Sequence, residues 1–249
     1  MWRLKSKTNN DNLNTDSGKE YLTMSTLELN DISYKYNNAQ TRAVSNAACK
    51  FEPGHLYAIV GPSGSGKSTL LSMLAGLDLP TDGEIHYDGE SLTKLDLDRY
   101  RRESVTMIFQ QFQLFPLFTI TENVCFPMEL QGVQPRDAKV KAEKLLESVG
   151  ITKEQFKRFP SKLSGGEQQR VAIARSLATG AKILLADEPT GNLDVANTEK
   201  IMAILSKLAR DKGYCVIVVT HDMDVANAAD IVYQMRDGQL KEVSRLAGV

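Results

Sequence analysis

Short, wholly apolar runs alternate with stretches of helical period along this chain. Leu56-Tyr57-Ala58-Ile59-Val60 is unbroken apolar sequence, the pattern of a strand buried on both faces. Leu70, Leu71, Met73 and Leu74 follow at helical spacing, and Gly76 supplies a stop. Residues 26–36 partly alternate, as a half-buried strand does, and Glu84–Tyr87 reads as another strand ended by the Asp88-Gly89 turn. Residues 137–149 carry Val140, Leu145, Leu146 and Val149 before Gly150, the pattern of an amphipathic helix and its stop. A second such helix covers 196–211, with Ile201, Ile204, Leu205 and Leu208 on one face. A strand at 215–220, a short helix near 223–229 and a hairpin around Asp237-Gly238 complete a mixed α/β pattern without internal repeat.

The segment between the first apolar run and its helix carries chemistry. Residues 61–69 read Gly-Pro-Ser-Gly-Ser-Gly-Lys-Ser-Thr, a full G-x-x-x-x-G-K-[ST] pattern in strand–loop–helix context. Gly61, Gly64 and Gly66 let backbone approach an anion, and successive N–H groups after Pro62, including those of Ser63 and Ser65, point into one concavity at a positive helix end. Lys67 adds a point charge for the β- and γ-phosphates. Ser68 offers a hydroxyl to Mg²⁺, which takes most of its shell from water and phosphate, and Thr69 reaches an earlier phosphate. The chain therefore binds a nucleoside triphosphate.

Composition narrows the remaining classes. At 249 residues, 42% hydrophobic and 24% charged, the chain has ample core for one large or two modest domains. A formal net charge of −1 gives no global basic surface for nucleic acid. Cys49, Cys125 and Cys215 are far apart and form no metal or redox motif, which suits a reduced cytosolic chain. No apolar run approaches the roughly 18–20 residues of a spanning helix. Residues 1–24 are polar and read as a disordered tail within which Met24 is an alternative start; 241–249 read as a C-terminal tail.

A second motif places the chain in a family. Residues 163–170 read Leu-Ser-Gly-Gly-Glu-Gln-Gln-Arg ahead of a helix bearing Val171, Ile173, Ala174 and Leu177. Ser164, Gly165 and Gly166 put free N–H groups and a hydroxyl at a positive helix end, a second anion site. The segment resembles the LSGGQ signature of the ATP-binding cassette (ABC) ATPases, with Glu167 where the consensus has Gln. The resemblance covers about residues 25–240. It implies a P-loop NTPase core with an N-terminal antiparallel β-subdomain and an α-helical subdomain inserted at about 91–165. It also implies that two subunits stack head to tail, each signature binding the γ-phosphate held by the partner's loop.

Further positions carry over one by one. Ile183-Leu184-Leu185-Ala186-Asp187-Glu188 is an apolar strand ending in two carboxylates. Asp187 resembles the family's Mg²⁺-organising aspartate and Glu188 its general base. Gln110 matches the glutamine that touches Mg²⁺ and water, Asp194 the aspartate that crosses the dimer interface, and His221 the histidine that contacts γ-phosphate and orients the base. His55 and His86 read as structural or solvated. Tyr36 resembles the aromatic that stacks on adenine, with Tyr34 as the alternative on the same strand face. Five of the eight phenylalanines (Phe109, Phe112, Phe115, Phe118, Phe126) fall within 109–126. They form either a groove for a partner helix or the helical subdomain's own core.

The stretch 186–194, Ala-Asp-Glu-Pro-Thr-Gly-Asn-Leu-Asp, resembles the branch holding macrolide exporters, lipoprotein-release ATPases, peptide-resistance pumps and the cell-division ATPase FtsE. The implied function is a Mg-ATP-driven homodimer. It would energise a separate membrane permease from the cytoplasmic face of the plasma (inner) membrane, in efflux or extraction of a peptide, lipid, lipoprotein or drug. The alternative is an FtsE-like regulator of cell-wall hydrolases.

Overall fold

The apolar run at 56–60 becomes a strand with all five side chains buried, flanked on both sides by parallel neighbours. The computed structural model describes residues 25–37 and 39–243. The tail expected at 1–24 lies outside the described residues, as do 244–249, while 241–243 finish the last strand. In chain order the elements are β1 (Leu27–Tyr34), β2 (Val44–Phe51), β3 (Leu56–Val60), α1 (Lys67–Leu74), β4 (Asp82–Tyr87), β5 (Glu90–Ser91), α2 (Leu97–Glu103) and β6 (Val105–Ile108). There follow α3 (Ile120–Leu130), α4 (Pro135–Ser148), α5 (Gly165–Ala178), β7 (Ile183–Asp187), α6 (Val195–Lys212), β8 (Cys215–Thr220), α7 (Met223–Asn227), β9 (Ile231–Arg236) and β10 (Gln239–Val243).

Two sheets result. The larger has the order β10-β9-β3-β8-β7-β6, parallel except for the closing β9–β10 hairpin. The smaller, β2-β1-β4-β5, is antiparallel throughout. Alternation along each central strand sends residues to two cores. Leu56, Ala58, Val60, Leu184, Ala186, Val216 and Val218 join the layer under α3–α6. Tyr57, Ile59, Ile183, Leu185, Cys215, Ile217 and Val219 face the layer shared by α1 and the small sheet. Truncating one of these leucines or isoleucines to alanine would cost about 2–5 kcal/mol.

Four elements carry no clear sequence period. In β2 the buried positions are Val44, Ala47 and Phe51, off the two-residue repeat. The α2 segment is mostly charged and buries only Tyr100, whose hydroxyl donates to the Leu74 carbonyl at 2.7 Å. β6 has four residues and is an edge strand. It falls within 91–165 yet pairs with β7, so the helical part begins after it with α3 and α4. α3 contains Pro127, but its start is legible in retrospect. Thr119 and Glu122 form a reciprocal cap, with Thr119 N–H donating to Glu122 Oε2 at 2.7 Å.

Candidate functional site

The carboxyl ends of adjacent parallel strands are where an open α/β sheet collects ligand-binding groups. Here β3 runs into Gly61, β7 ends at Asp187 with Glu188 next, β8 precedes His221, and β6 precedes Gln110. Register fixes them side by side: Val60 pairs with Thr220, Asp187 with Val219 and Ile108 with Ala186. Four chain segments thus converge because their strands are neighbours.

The loop at 61–66 is constrained by close approach. A Cβ on Gly61 would lie 2.1 Å from the Met235 carbonyl oxygen, and one on Gly66 would lie 2.2 Å from that of Ala43. Gly66 also has φ +107°, a conformation side-chain-bearing residues rarely adopt. It heads α1 without any side-chain cap and with no acidic residue in the first turn. The N–H groups of Lys67, Ser68 and Thr69 meet no acceptor among the described residues. Lys67 is 7% exposed, and its ammonium donates to the carbonyls of Gly61 at 2.8 Å and Pro62 at 2.9 Å. The cavity here holds about 400 Å³, lined chiefly by Tyr36, Ser63, Gly64, Lys67, Thr69 and Glu188. A helix N-terminus, a lysine and an open concavity together accept a polyphosphate.

Beside the cavity stand two consecutive carboxylates. Burial, then the charge of Glu188, raise the pKa of Asp187, while the Ser68 hydroxyl and the Lys67 ammonium pull it down. A cation would relieve this crowding. Asp187 and Ser68 offer two oxygen donors, which suits Mg²⁺ with phosphate and water completing its shell. No group of three or more His, Cys, Asp or Glu gathers to hold a metal unaided among the described residues. Glu188 has φ +46° and is bonded through its N–H to the Val219 carbonyl at 2.9 Å. Its Oε1 accepts from His221 Nδ1 at 3.0 Å, the only polarity an ionised carboxylate permits. Gln110 is brought to the same place: a Cβ on Gly191 would meet Gln110 Nε2 at 2.9 Å and Glu188 Oε2 at 3.3 Å.

The aromatic pair is arranged differently from the sequence expectation of one strand face. β1 ends at Tyr34, after irregular register around Asp31, and Tyr36 lies beyond it. The two rings meet edge to face with centroids 4.9 Å apart. Tyr36 is 49% exposed, its hydroxyl 3.0 Å from Thr69 Oγ1, and it lines the cavity; Tyr34 points its hydroxyl at Asp78 instead.

The signature segment is elsewhere: none of 164–167 lines the phosphate cavity. Ser164 caps α5, its Oγ accepting from Glu167 N–H at 3.3 Å, while Glu167 Oε2 accepts from Ser164 N–H at 2.7 Å. Among the described residues the sequence expectation of free N–H groups therefore holds only for Gly165 and Gly166; Glu167 fills part of the helix end itself. That bond to Ser164 N–H holds the Glu167 carboxyl below the usual carboxylate range. Gly166 packs so closely on Asn197 that a Cβ would lie 2.4 Å from its Oδ1. Asp194 caps α6 and binds that same Asn197 through both carboxylate oxygens, at 3.0 and 3.1 Å.

The phenylalanines divide between the two sequence readings. Phe115, Phe118 and Phe126 pack together with centroids 4.9–6.1 Å apart, yet Phe115 and Phe118 stay more than one-third exposed. Phe118 and Phe126 edge a groove of about 980 Å³ between α3, α4 and residues 153–157. Its walls mix apolar surface with Glu122, Glu129, Lys139 and Lys157. Arg175, half-buried and with its pKa lowered by that partial burial, holds the loop by donating to the Gln113 and Phe112 carbonyls at 2.6 and 3.2 Å. No helix among the described residues is long and apolar enough to cross a membrane.

Comparison with known proteins gives consistent findings. The model of the ABC transporter family matches residues 44–191. Over 219 residues the chain is 42% identical to an uncharacterised ABC transporter ATP-binding protein of Mycobacterium tuberculosis (strain ATCC 25618 / H37Rv), covering 86% of this chain and 88% of that one. It is 42% identical over 219 residues to the macrolide export ATP-binding/permease protein MacB of Shigella flexneri, covering 86% of this chain and 34% of that longer one. Among solved structures, the dimeric post-hydrolysis state of the ATP-binding cassette MJ0796 bound to ADP and Pi superposes with a TM-score of 0.80 at 37% identity, covering 90% of this chain and all of that one.

Proposed function

The chain belongs to the ABC transporter family of ATP-binding proteins, and on that premise we propose that it hydrolyses ATP as a homodimer closed on two nucleotides, driving a separate membrane permease. The work would be efflux or extraction of a peptide, lipid, lipoprotein or drug, from the cytoplasmic face of the plasma membrane. The observation that carries the proposal is the division of the site. Phosphate-binding groups, carboxylates and histidine gather at the carboxyl ends of neighbouring strands, whereas the second helix end with open amides, at Ser164, is absent from the cavity that Lys67, Ser68 and Glu188 line. A second copy supplies what one chain leaves out. The dimer of MJ0796 and the export role in the name of MacB support this reading.

In this assignment Lys67 exchanges the Gly61 and Pro62 carbonyls for β- and γ-phosphate oxygens, and the α1 amides hold the rest of the triphosphate. Tyr36 offers its exposed ring to the base. Mg²⁺, held by Ser68 and Asp187 with Gln110 alongside, would neutralise charge on the phosphate oxygens. Glu188 takes the proton of the attacking water, and His221 fixes the carboxylate through Oε1. Glu188→Gln should reduce ATP hydrolysis by roughly 10²–10⁴-fold while leaving binding intact. With Mg-ATP it should elute from a sizing column as a dimer; a species that stays monomeric overturns the shared-site reading.

A further inference from the structure

One buried amide joins the signature to the wall of the groove. Gln155 ends a 3-10 turn, Lys153–Gln155, and is 8% exposed. Its Nε2 donates to Glu167 Oε1 at 2.5 Å, and its Oε1 accepts from Thr152 N–H at 2.9 Å. Both ends of the amide are therefore committed. Glu167 in turn holds Ser164 through the reciprocal cap, so its two oxygens bridge Gln155 and the signature serine. On the other side the turn is tied to the start of α3. The Phe156 carbonyl accepts from Thr121 Oγ1 at 2.9 Å, and the Arg158 carbonyl from Ile120 N–H at 2.9 Å. Residues 153, 154, 156 and 157 themselves line the groove together with Thr121 and Glu122 of α3.

The chain of contacts α3 – Phe156/Arg158 – Gln155 – Glu167 – Ser164 runs through direct hydrogen bonds and one short stretch of backbone, and a carboxylate sits at its centre. Hydrogen bonds to a charged group are the stronger kind, and a shift at one end cannot be absorbed without breaking one. We propose that Gln155 is a positioning residue that couples the signature serine to the 153–158 turn of the groove wall, so that closure of the dimer on Ser164 changes the stability of that turn. The inference rests on the proposed closure of the dimer. Coupling of this kind is reciprocal, so it is readable from the nucleotide side alone.

The experiment uses the full chain carrying Glu188→Gln and follows backbone amide exchange of 155–158 with and without Mg-ATP. On dimer formation, exchange there should slow about tenfold. Adding Gln155→Ala should reduce that response to below about twofold while the dimer still forms. The exchanged pair Gln155→Glu with Glu167→Gln should restore it. The carboxylate now carried at position 155 accepts from both Thr152 N–H and the new amide at position 167, whose oxygen still takes Ser164 N–H. A purely structural Gln155 would speed exchange equally with and without nucleotide. That outcome, an unchanged response in Gln155→Ala, or a double variant that dimerises without recovering the response, overturns the proposal. A trapped dimer whose 155–158 amides ignore ATP also overturns it but leaves the dimer intact. A protein that never dimerises overturns the shared-site reading and this inference together.

Discussion

The N-termini of α1 and α5 look alike in sequence, each a serine- and glycine-rich approach to a helix, but they are finished differently. α1 begins at a left-handed glycine with no side-chain cap, no acid in its first turn and a lysine folded over the loop. α5 is closed on itself by Ser164 and Glu167, and its first turn already contains a carboxylate. An uncapped end leaves its partial positive charge for a ligand, whereas a capped end has spent part of it internally. What remains at α5 is the amide pair of Gly165 and Gly166 and the hydroxyl hydrogen of Ser164, whose oxygen is already an acceptor. The first end can bind a triphosphate alone; the second suits a terminal phosphate already held by something else. The proposed division of the grip between two copies rests on that asymmetry.

The comparison breaks most sharply at Lys67. Replacing it with alanine removes the cation folded over the α1 end, and nucleotide affinity should fall roughly 10- to 100-fold, the worth of one charge-assisted hydrogen bond. A fluorescent-nucleotide titration checks this; unchanged affinity would mean the uncapped amides suffice alone. Ser164→Ala should act on the other term. Affinity of the single chain for nucleotide should hold within about twofold, while the ATP-trapped dimer in the Glu188→Gln background weakens roughly 5- to 10-fold. The lost cap itself should cost about 1 kcal/mol, seen in thermal unfolding of the apo protein. Equal losses of nucleotide affinity in both variants would erase the distinction between the two ends.

Sequence spelled out the α1 end far better than the α5 end. Gly61, Gly64, Gly66 and Lys67 sit at fixed spacing because backbone approach and one charge are all the chemistry needs, and spacing is what a sequence displays. The β3, β8 and α6 patterns were equally readable, since burial on fixed periods leaves an apolar record. Glu167 showed only as a departure from a consensus; that it caps α5 and grips Gln155, twelve residues earlier, depends on a turn whose position periodicity does not encode. β2 and α2 were missed for a related reason. Their burial is set by partners in other elements, Val44, Ala47 and Phe51 by the layer shared with α1 and the large sheet and Tyr100 by the end of α1, rather than by an internal period. The meeting of Gln110, Glu188 and His221 likewise follows from strand order, which no local pattern states.

The finest difference between the two ends is electrostatic, and it should appear in acid. Glu167 is held below its ordinary pKa first by the backbone N–H of Ser164, with further help from the Ser164 hydroxyl and Gln155. A carboxylate whose folded pKa is depressed contributes stability that is complete above its unfolded value, about 4.3, and is lost as pH falls through the folded value. Glu167→Gln removes the titration. It also sets two amide donors against each other, because Gln155 cannot turn without losing Thr152 N–H. The variant should therefore be less stable than the wild type at pH about 7, with the gap narrowing below pH about 4 as the native carboxylate protonates. Urea unfolding at both pH values measures the gap. The matching cap of α3, with Glu122 depressed by Thr119, is untouched and acts as the internal control. A gap that stays constant between the two pH values would mean that Glu167 serves α5 by shape alone, and the contrast with the uncapped α1 end would then rest on Lys67 rather than on the cap.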